Sequence, residues 1–452
     1  MKQNSSGAVY NAKELGAGKT IVLGLQHMFA MFGSTVLVPL LTGLDVSATL
    51  LFAGLGTLLF HLITKGKVPA FLGSSFAFLG GYAAIAPMID GKSNIEKIPY
   101  ACFGVACAGT LYILMAALIK IFSAKKIMKF FPPIVTGPII IAIGLTLSKS
   151  AIDSCSSNWL VAVVAIIVVV LCNIFGKGMI KIVPILIGVV ASYLVGIVAG
   201  EVDFSIVKDA AWVGIPIVKE TTVLGLFNNN FDASMLITSI ITIMPIALAT
   251  IVEHIGDISA ISSTTGINYI KEPGLHKTLL GDGLATIVAS LFGAPANTTY
   301  GENTGVLNLS KVYDPFVVRL AAVFAIFFSF CPKFAAAIQA MPTATVGGIS
   351  LILYGMISAV GVRNVVENKV DFTKSRNVII AALILVLSIG VNYSTAGAIA
   401  FNIGSVTISL SGLAVGALVG IILNAVLPEK DYDFNEEEPE GTGVNFELGQ
   451  NH

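Results

Sequence analysis

The stretch Asn297-Thr298-Thr299-Tyr300-Gly301-Glu302-Asn303-Thr304-Gly305 sits between two apolar runs, near 277–293 and 313–331, each long enough to cross a bilayer. It carries a carboxylate and two amides among small, hydroxylated and β-branched residues, a composition unsuited to a helix facing lipid. Backbone that leaves the helix at this depth is tolerated only where it is buried in protein or lines a cavity. A second stretch, Leu72-Gly73-Ser74-Ser75-Phe76-Ala77-Phe78, has the same small, hydroxylated character. Each reads as a short extended piece leading into a half-helix, so that backbone N–H groups and a helix N-terminus point at a polar ligand. For Leu72–Phe78, close helix packing through Gly and Ser is the competing reading.

Composition carries this outward to the whole chain. Of 452 residues, 55% are hydrophobic and 12% charged, and the mean hydropathy is +0.88. A soluble domain carries about 25% charged residues to solvate its surface. Half that fraction means that most of the outer surface faces something other than water. The formal net charge of +0 gives no sign of nucleic acid or an acidic partner. The five cysteines (Cys102, Cys107, Cys155, Cys172, Cys331) form no metal or disulfide pattern and read as small buried hydrophobes. Residues 1–20 are polar and lack a signal-peptide core, so the first span is expected to act as an uncleaved anchor.

Spans are predicted near 21–42, 47–63, 99–121, 131–148, 158–175, 181–199, 234–252, 277–293, 313–331, 342–361, 377–391 and 396–427. The two polar stretches, 72–88 and 294–309, bring the number to fourteen. With the N-terminus in the cytoplasm, fourteen crossings put 20 of the 26 Lys and Arg inside, leaving Lys92, Lys97, Lys149, Lys208, Lys219 and Lys333 outside. Twelve crossings would place the Lys120–Lys129 cluster outside. Fourteen fit. The polar loop 200–232 (Glu201, Asp203, Asp209, Trp212) divides the chain into a cytoplasmic segment 1–20, a first half 21–199, a second half 233–427 and an acidic cytoplasmic tail 428–452.

The halves are related. Gln26-His27 in the first span and Glu253-His254 in the eighth stand 227 residues apart, and the same offset carries Ser75 to Glu302. Pro132-x4-Gly137 and Pro342-x4-Gly347 open the fifth and twelfth spans at an offset of 210. An odd number of spans per repeat inverts one half against the other, the plan of secondary transporters, whose binding site lies near the midplane where corresponding segments are broken. The fold class is therefore an all-α polytopic membrane protein of two inverted seven-segment repeats.

Glu253, at membrane depth, is a functional candidate by default. Asp257, four residues on, shares its helix face, and two such carboxylates in a low dielectric resist double ionisation, which leaves one able to carry a proton. His27 and His254 are weaker candidates, since a lone histidine in a packed helix is more often a satisfied core residue. Tyr354 suits either a cavity wall or packing. No G-x-S-x-G, H-E-x-x-H, Walker loop or complete G-x-G-x-x-G occurs, which leaves an ion-gradient carrier or a channel and gives no reason to expect a metal or cofactor.

Gln26-His27, Gly73-Ser74-Ser75-Phe76, Glu253-His254 and Asn297-Thr298-Thr299-Tyr300-Gly301-Glu302-Asn303 together resemble the nucleobase/ascorbate transporter family from about residue 15 to 427, with the last motif that of its uracil branch. The resemblance implies a core and a gate domain, short antiparallel strands in segments three and ten, a homodimer in the cell membrane, and proton-coupled symport of uracil. It implies that Glu253 and Glu302 bind the ring by side chain. Phe76, Tyr300 and Gly301 would offer backbone N–H groups beside Ser75, with Phe76 and Tyr354 packing near the ring. Uracil permeases of the family often carry a proton-coupling histidine four residues after the first glutamate; here that position is Asp257, with His254 and His27 the nearby imidazoles. Uracil presents two N–H donors and two carbonyl acceptors, which carboxylates and backbone amides match. A xanthine or purine permease of the same family is the alternative, followed by an anion carrier or channel of related architecture.

Overall fold

Apolar runs of membrane length become helices, and polar residues end them. The computed structural model describes residues 8–89, 92–227, 231–403 and 406–428. The first seven residues, 228–230 and the expected acidic tail beyond Pro428 lie outside them, as does the side chain of Glu302. The first half holds α1 (Ala17–Thr42), α2 (Val46–Ile63), β1 (Leu72–Ser74), α3 (Leu79–Ile85), α4 (Ile98–Phe122), α5 (Ala124–Met128), α6 (Pro133–Cys155), α7 (Trp159–Phe175), α8 (Met179–Ile182), α9 (Pro184–Val198) and α10 (Ser205–Asp209). The second holds α11 (Ala233–Ile243), α12 (Ala247–Thr265), α13 (Leu275–Leu291), β2 (Asn297–Thr299), α14 (Gly301–Ser310), α15 (Pro315–Ser329), α16 (Pro332–Gln339), α17 (Thr343–Glu367), α18 (Ser375–Asn392), β3 (Ala398–Ile403), β4 (Val406–Ser411) and α19 (Gly412–Val426).

Among the described residues, seven helices are long and apolar enough to cross a membrane, counting α11 and α12 as one span, and α15 with α16, bent by 87°, makes an eighth. The local chemistry of the ends is ordinary. Gly43, in the left-handed region at φ 75°, closes α1 by donating to the Pro39 carbonyl at 2.9 Å. Asp45 then opens α2 by accepting from the Ala48 N–H at 2.7 Å.

Two expected spans come out differently. The eighth is broken at Met244–Ile246, where Pro245 lacks an N–H, and the helix beyond the break runs on to Thr265. Glu253 therefore sits inside α12 rather than at a span end. The last expected span, 396–427, is helical only from Gly412; before it β3 and β4 form an antiparallel hairpin with Ala398 opposite Ser411. Its strands alternate small or polar residues with Ile399, Phe401 and Leu410, a period of two that a hydropathy sum does not register.

The helices pack in two groups. α13 lies on α4 and α2, and α15 on α1 and α2, while α6, α17, α18 and α19, with α7 and α9, form the other set. Within the second group α6 and α17 run antiparallel at glycine contacts. A methyl on Gly361 would approach the Gly137 carbonyl to 2.7 Å, one on Gly347 the Ala151 carbonyl to 2.9 Å, and one on Gly144 would overlap the Tyr354 carbonyl. Small residues permit such backbone approach where lipid supplies no hydrophobic driving force.

Candidate substrate site

The two broken stretches meet. β1 and β2 pair antiparallel, Leu72 opposite Thr299, Gly73 opposite Thr298 and Ser74 opposite Asn297, and the ladder extends through Ser75 N–H to the Ala296 carbonyl (2.9 Å) and Tyr300 N–H to the Phe71 carbonyl (3.0 Å). A two-stranded ribbon leaves its outer edges unpaired, and inside a membrane those groups need partners. Side chains supply them. Thr57 of α2 accepts from the Leu72 N–H at 2.9 Å, Thr286 of α13 donates to the Asn297 carbonyl at 2.8 Å, and the Asn297 amide donates to the Phe52 carbonyl at 2.8 Å. Each strand runs directly into a helical turn. Phe76 opens the turn that leads into α3, and Gly301 opens α14, so each presents an N–H with no partner inside its helix.

This corrects one expectation. The Tyr300 N–H is engaged by Phe71 and is not a free donor; the Tyr300 phenol instead crosses the ribbon and donates to the Ser74 carbonyl at 2.8 Å. A side chain at position 301 would stand 3.7 Å from Asp257 Oδ1, so that carboxylate faces the N-terminus of α14. Glu302 occupies the first turn of the same helix. Phe76 and Tyr354 pack edge to face, with ring centroids 5.7 Å apart. The Ser75 hydroxyl is buried without a hydrogen-bond partner among the described residues. Beside Phe76 opens a cavity of about 600 Å³, walled by Leu79 and Ala83 on one side and Ile143 and Thr146 on the other, with Lys149 and Asp153 among its lining residues.

Both histidines are fully buried and both touch the second motif. His27 Nδ1 lies 3.2 Å from the Asn303 amide nitrogen, which also donates to the His27 carbonyl at 3.1 Å. His254 Nδ1 faces the Thr299 hydroxyl at 3.0 Å and Asp282 Oδ2 at 3.1 Å. Asp282, on α13, is absent from the sequence reading, although the reasoning applied to Glu253 finds it: it too is a carboxylate inside an apolar run, Leu279-Leu280-Gly281-Asp282-Gly283-Leu284. A second residue missed is Tyr112 of α4, whose buried phenol stands within electrostatic reach of Asp282, Glu253 and Asp257. Among the described residues no group of three His, Cys, Asp or Glu is placed to hold a metal ion.

The family model Xan_ur_permease, described as a permease family, matches residues 18–397. The chain is 40% identical over 420 residues to a uracil permease of Bacillus caldolyticus, covering 91% of this chain and 92% of that protein. It is 36% identical over 419 residues to a uracil permease of Escherichia coli K12, covering 90% and 91%. Among solved structures it is similar to the transmembrane domain of the cyanobacterial bicarbonate transporter BicA, with a TM-score of 0.58 at 15% identity over 92% of this chain and 99% of that one. It is also similar to SLC26A9, with a TM-score of 0.65 at 12% identity over 92% and 66%. Those two likenesses concern the fold alone. The matches to permeases along nearly the full length make the chain a multi-pass membrane transporter and not an enzyme. With its ribbon formed by the very motifs that suggested the likeness, this chain belongs to that permease family, the nucleobase/ascorbate transporters.

Proposed function

We propose that this protein carries uracil across the cell membrane by alternating access, in symport with protons. The observation that carries the reading is the antiparallel pairing of Leu72–Ser74 with Asn297–Thr299, which sets the helical turns opened by Phe76 and Gly301 at the two ends of one ribbon, with Asp257 beside the second. Backbone N–H groups there donate to the carbonyls of a flat ring, Glu302 accepts from its N–H groups, and Glu253, when protonated, donates to a ring carbonyl. Ser75 borders the donors and Tyr354 closes against Phe76. The relatives named uracil permeases support uracil over other nucleobases. The solved structures of related fold include a bicarbonate transporter and an anion transporter, but a site built on the carboxylates proposed here, Glu253 and Glu302 with Asp257, would repel anions, which speaks against that reading.

Fourteen segments in two inverted repeats account for internal symmetry in the contacts. Leu72 faces Thr299, its counterpart at the 227-residue offset, and the Gly73–Thr298 pair corresponds to Phe71–Tyr300. At the 210-residue offset, the Gly137–Gly361 contact corresponds to Gly347–Ala151, and Gly144 meets its own counterpart Tyr354. Such self-matched pairs lie where a two-fold axis would pass. The helix group carrying the ribbon acts as the core and the group around α6 and α17 as the gate, in a homodimer with both termini in the cytoplasm.

A ligand panel tests substrate class. In detergent-purified protein, uracil should raise the melting temperature and displace radiolabelled uracil, while xanthine, sulfate and bicarbonate leave both unchanged. Xanthine displacing better than uracil moves the reading to a purine permease, and stabilisation by bicarbonate or sulfate alone overturns the nucleobase reading.

A further inference from the structure

We propose that Tyr300 is a positioning residue whose phenol acts as a strut, setting the separation between the two helix N-termini that face the ligand. The inference rests on the reading of the ribbon as the nucleobase site and assigns Tyr300 a role there different from that of a backbone donor.

Tyr300 belongs to both sides of the ribbon at once. Its backbone is the N-cap of α14, with φ −101° and ψ 120°, so any movement of Tyr300 moves the Gly301 N–H. Its phenol reaches across to β1 and donates to the Ser74 carbonyl at 2.8 Å, two residues before Phe76, whose N–H opens the opposite helix. The ring is 3% exposed, and its path runs directly over Gly73. A Cβ on Gly73 would overlap the Tyr300 ring and stand 2.7 Å from Thr35 Oγ1, so the absence of a side chain at 73 is what lets the strut cross. Thr35 completes the tie. Its hydroxyl lies 3.4 Å from the Tyr300 oxygen and its carbonyl accepts from the Ser74 hydroxyl at 3.0 Å, which anchors the same strand end to α1.

A ribbon this short needs such a tie. Two strands of three residues hold their register weakly unless packed by other elements. A buried hydrogen bond from a ring with two rotatable angles adds a fixed length between the donors at little conformational cost. A ligand that must meet the Phe76 and Gly301 N–H groups together depends on that length, so loosening it weakens binding without removing any contacting atom.

The test is uracil uptake by proteoliposomes containing wild type, Tyr300→Phe, Gly73→Ala and the double variant, with rates normalised to folded transporter. Tyr300→Phe should raise KM about fivefold to tenfold, the effect of one lost buried hydrogen bond, and leave Vmax within about twofold. A phenol that only packs predicts lower abundance with an unchanged KM, and that result overturns the proposal. Gly73→Ala displaces the ring and breaks the same bond, so the double variant should show a KM no higher than the worse single variant. Fold-changes that multiply would mark the two positions as independent and also overturn it. If Gly73→Ala fails to fold, the KM of Tyr300→Phe alone decides. Wild-type uptake in the same vesicles separates the two readings. A wild type that ignores uracil overturns the nucleobase assignment, and the KM comparison is then made with the ligand that the panel identifies.

Discussion

Glu253→Gln should abolish uphill accumulation of uracil while leaving exchange of uracil across the membrane intact. Glutamine keeps the size of the side chain and its ability to hydrogen-bond, but it cannot gain or release a proton. In the proposed cycle Glu253, protonated from outside, donates to a uracil carbonyl, so proton and substrate bind cooperatively, and loss of the proton toward the cytoplasm weakens the site. One proton per uracil allows about tenfold accumulation for each pH unit across the membrane, since a pH unit is worth about 1.4 kcal/mol. A gradient of two units would then drive about hundredfold accumulation in wild type and none in the variant. Counterflow in vesicles preloaded with uracil reports exchange independently of the gradient. Retention of full accumulation with an unchanged pH dependence in Glu253→Gln would remove Glu253 from the coupling path and direct attention to Asp257.

Asp282→Ala should be the most destabilising single change near the site. Asp282 and His254 are both fully buried, on α13 and α12, with Oδ2 and Nδ1 3.1 Å apart. The same nitrogen faces the Thr299 hydroxyl of β2 at 3.0 Å, so the pair borders the strand. Removing one member of a buried ion pair costs about 3–5 kcal/mol, because the other is left without compensation. The expected readouts are a melting temperature lower by several degrees and loss of uptake. Asp282→Asn keeps an acceptor for His254 and should fold nearly as well as wild type, with the remaining defect appearing in transport. An Asp282→Ala protein that melts with wild type would show that the pair contributes nothing net to holding β2.

Much of this arrangement is legible in the sequence, for identifiable reasons. The breaks at Leu72–Phe78 and Asn297–Gly305 announce themselves because hydroxyls, glycines and amides are costly on a lipid-facing helix. Short antiparallel strands in these two segments are what the family resemblance implies, and the register sets Leu72 opposite Thr299, 227 residues further along the chain. Asp282 escapes notice because its run reads as one apolar helix, and the glycines on either side carry no charge that draws the eye to it. The β3–β4 hairpin escapes because its apolar residues are counted into a span while their period is that of a strand. The Tyr300 phenol lies beyond what pattern alone reaches: its contact with Ser74 depends on the register of two strands and on which way one side chain turns. The Tyr300 amide is misassigned for the same reason, since its partner, the Phe71 carbonyl, is 229 residues away in the chain.

The most direct test of the central claim is uptake of radiolabelled uracil into proteoliposomes, with and without an inward proton gradient, for wild type and Glu302→Ala. The account predicts gradient-driven uptake by the wild type and its loss in the variant, with both proteins folded by their melting profiles. Folded wild-type protein that takes up no uracil under a proton gradient, or a Glu302→Ala variant that transports as wild type does, would contradict it.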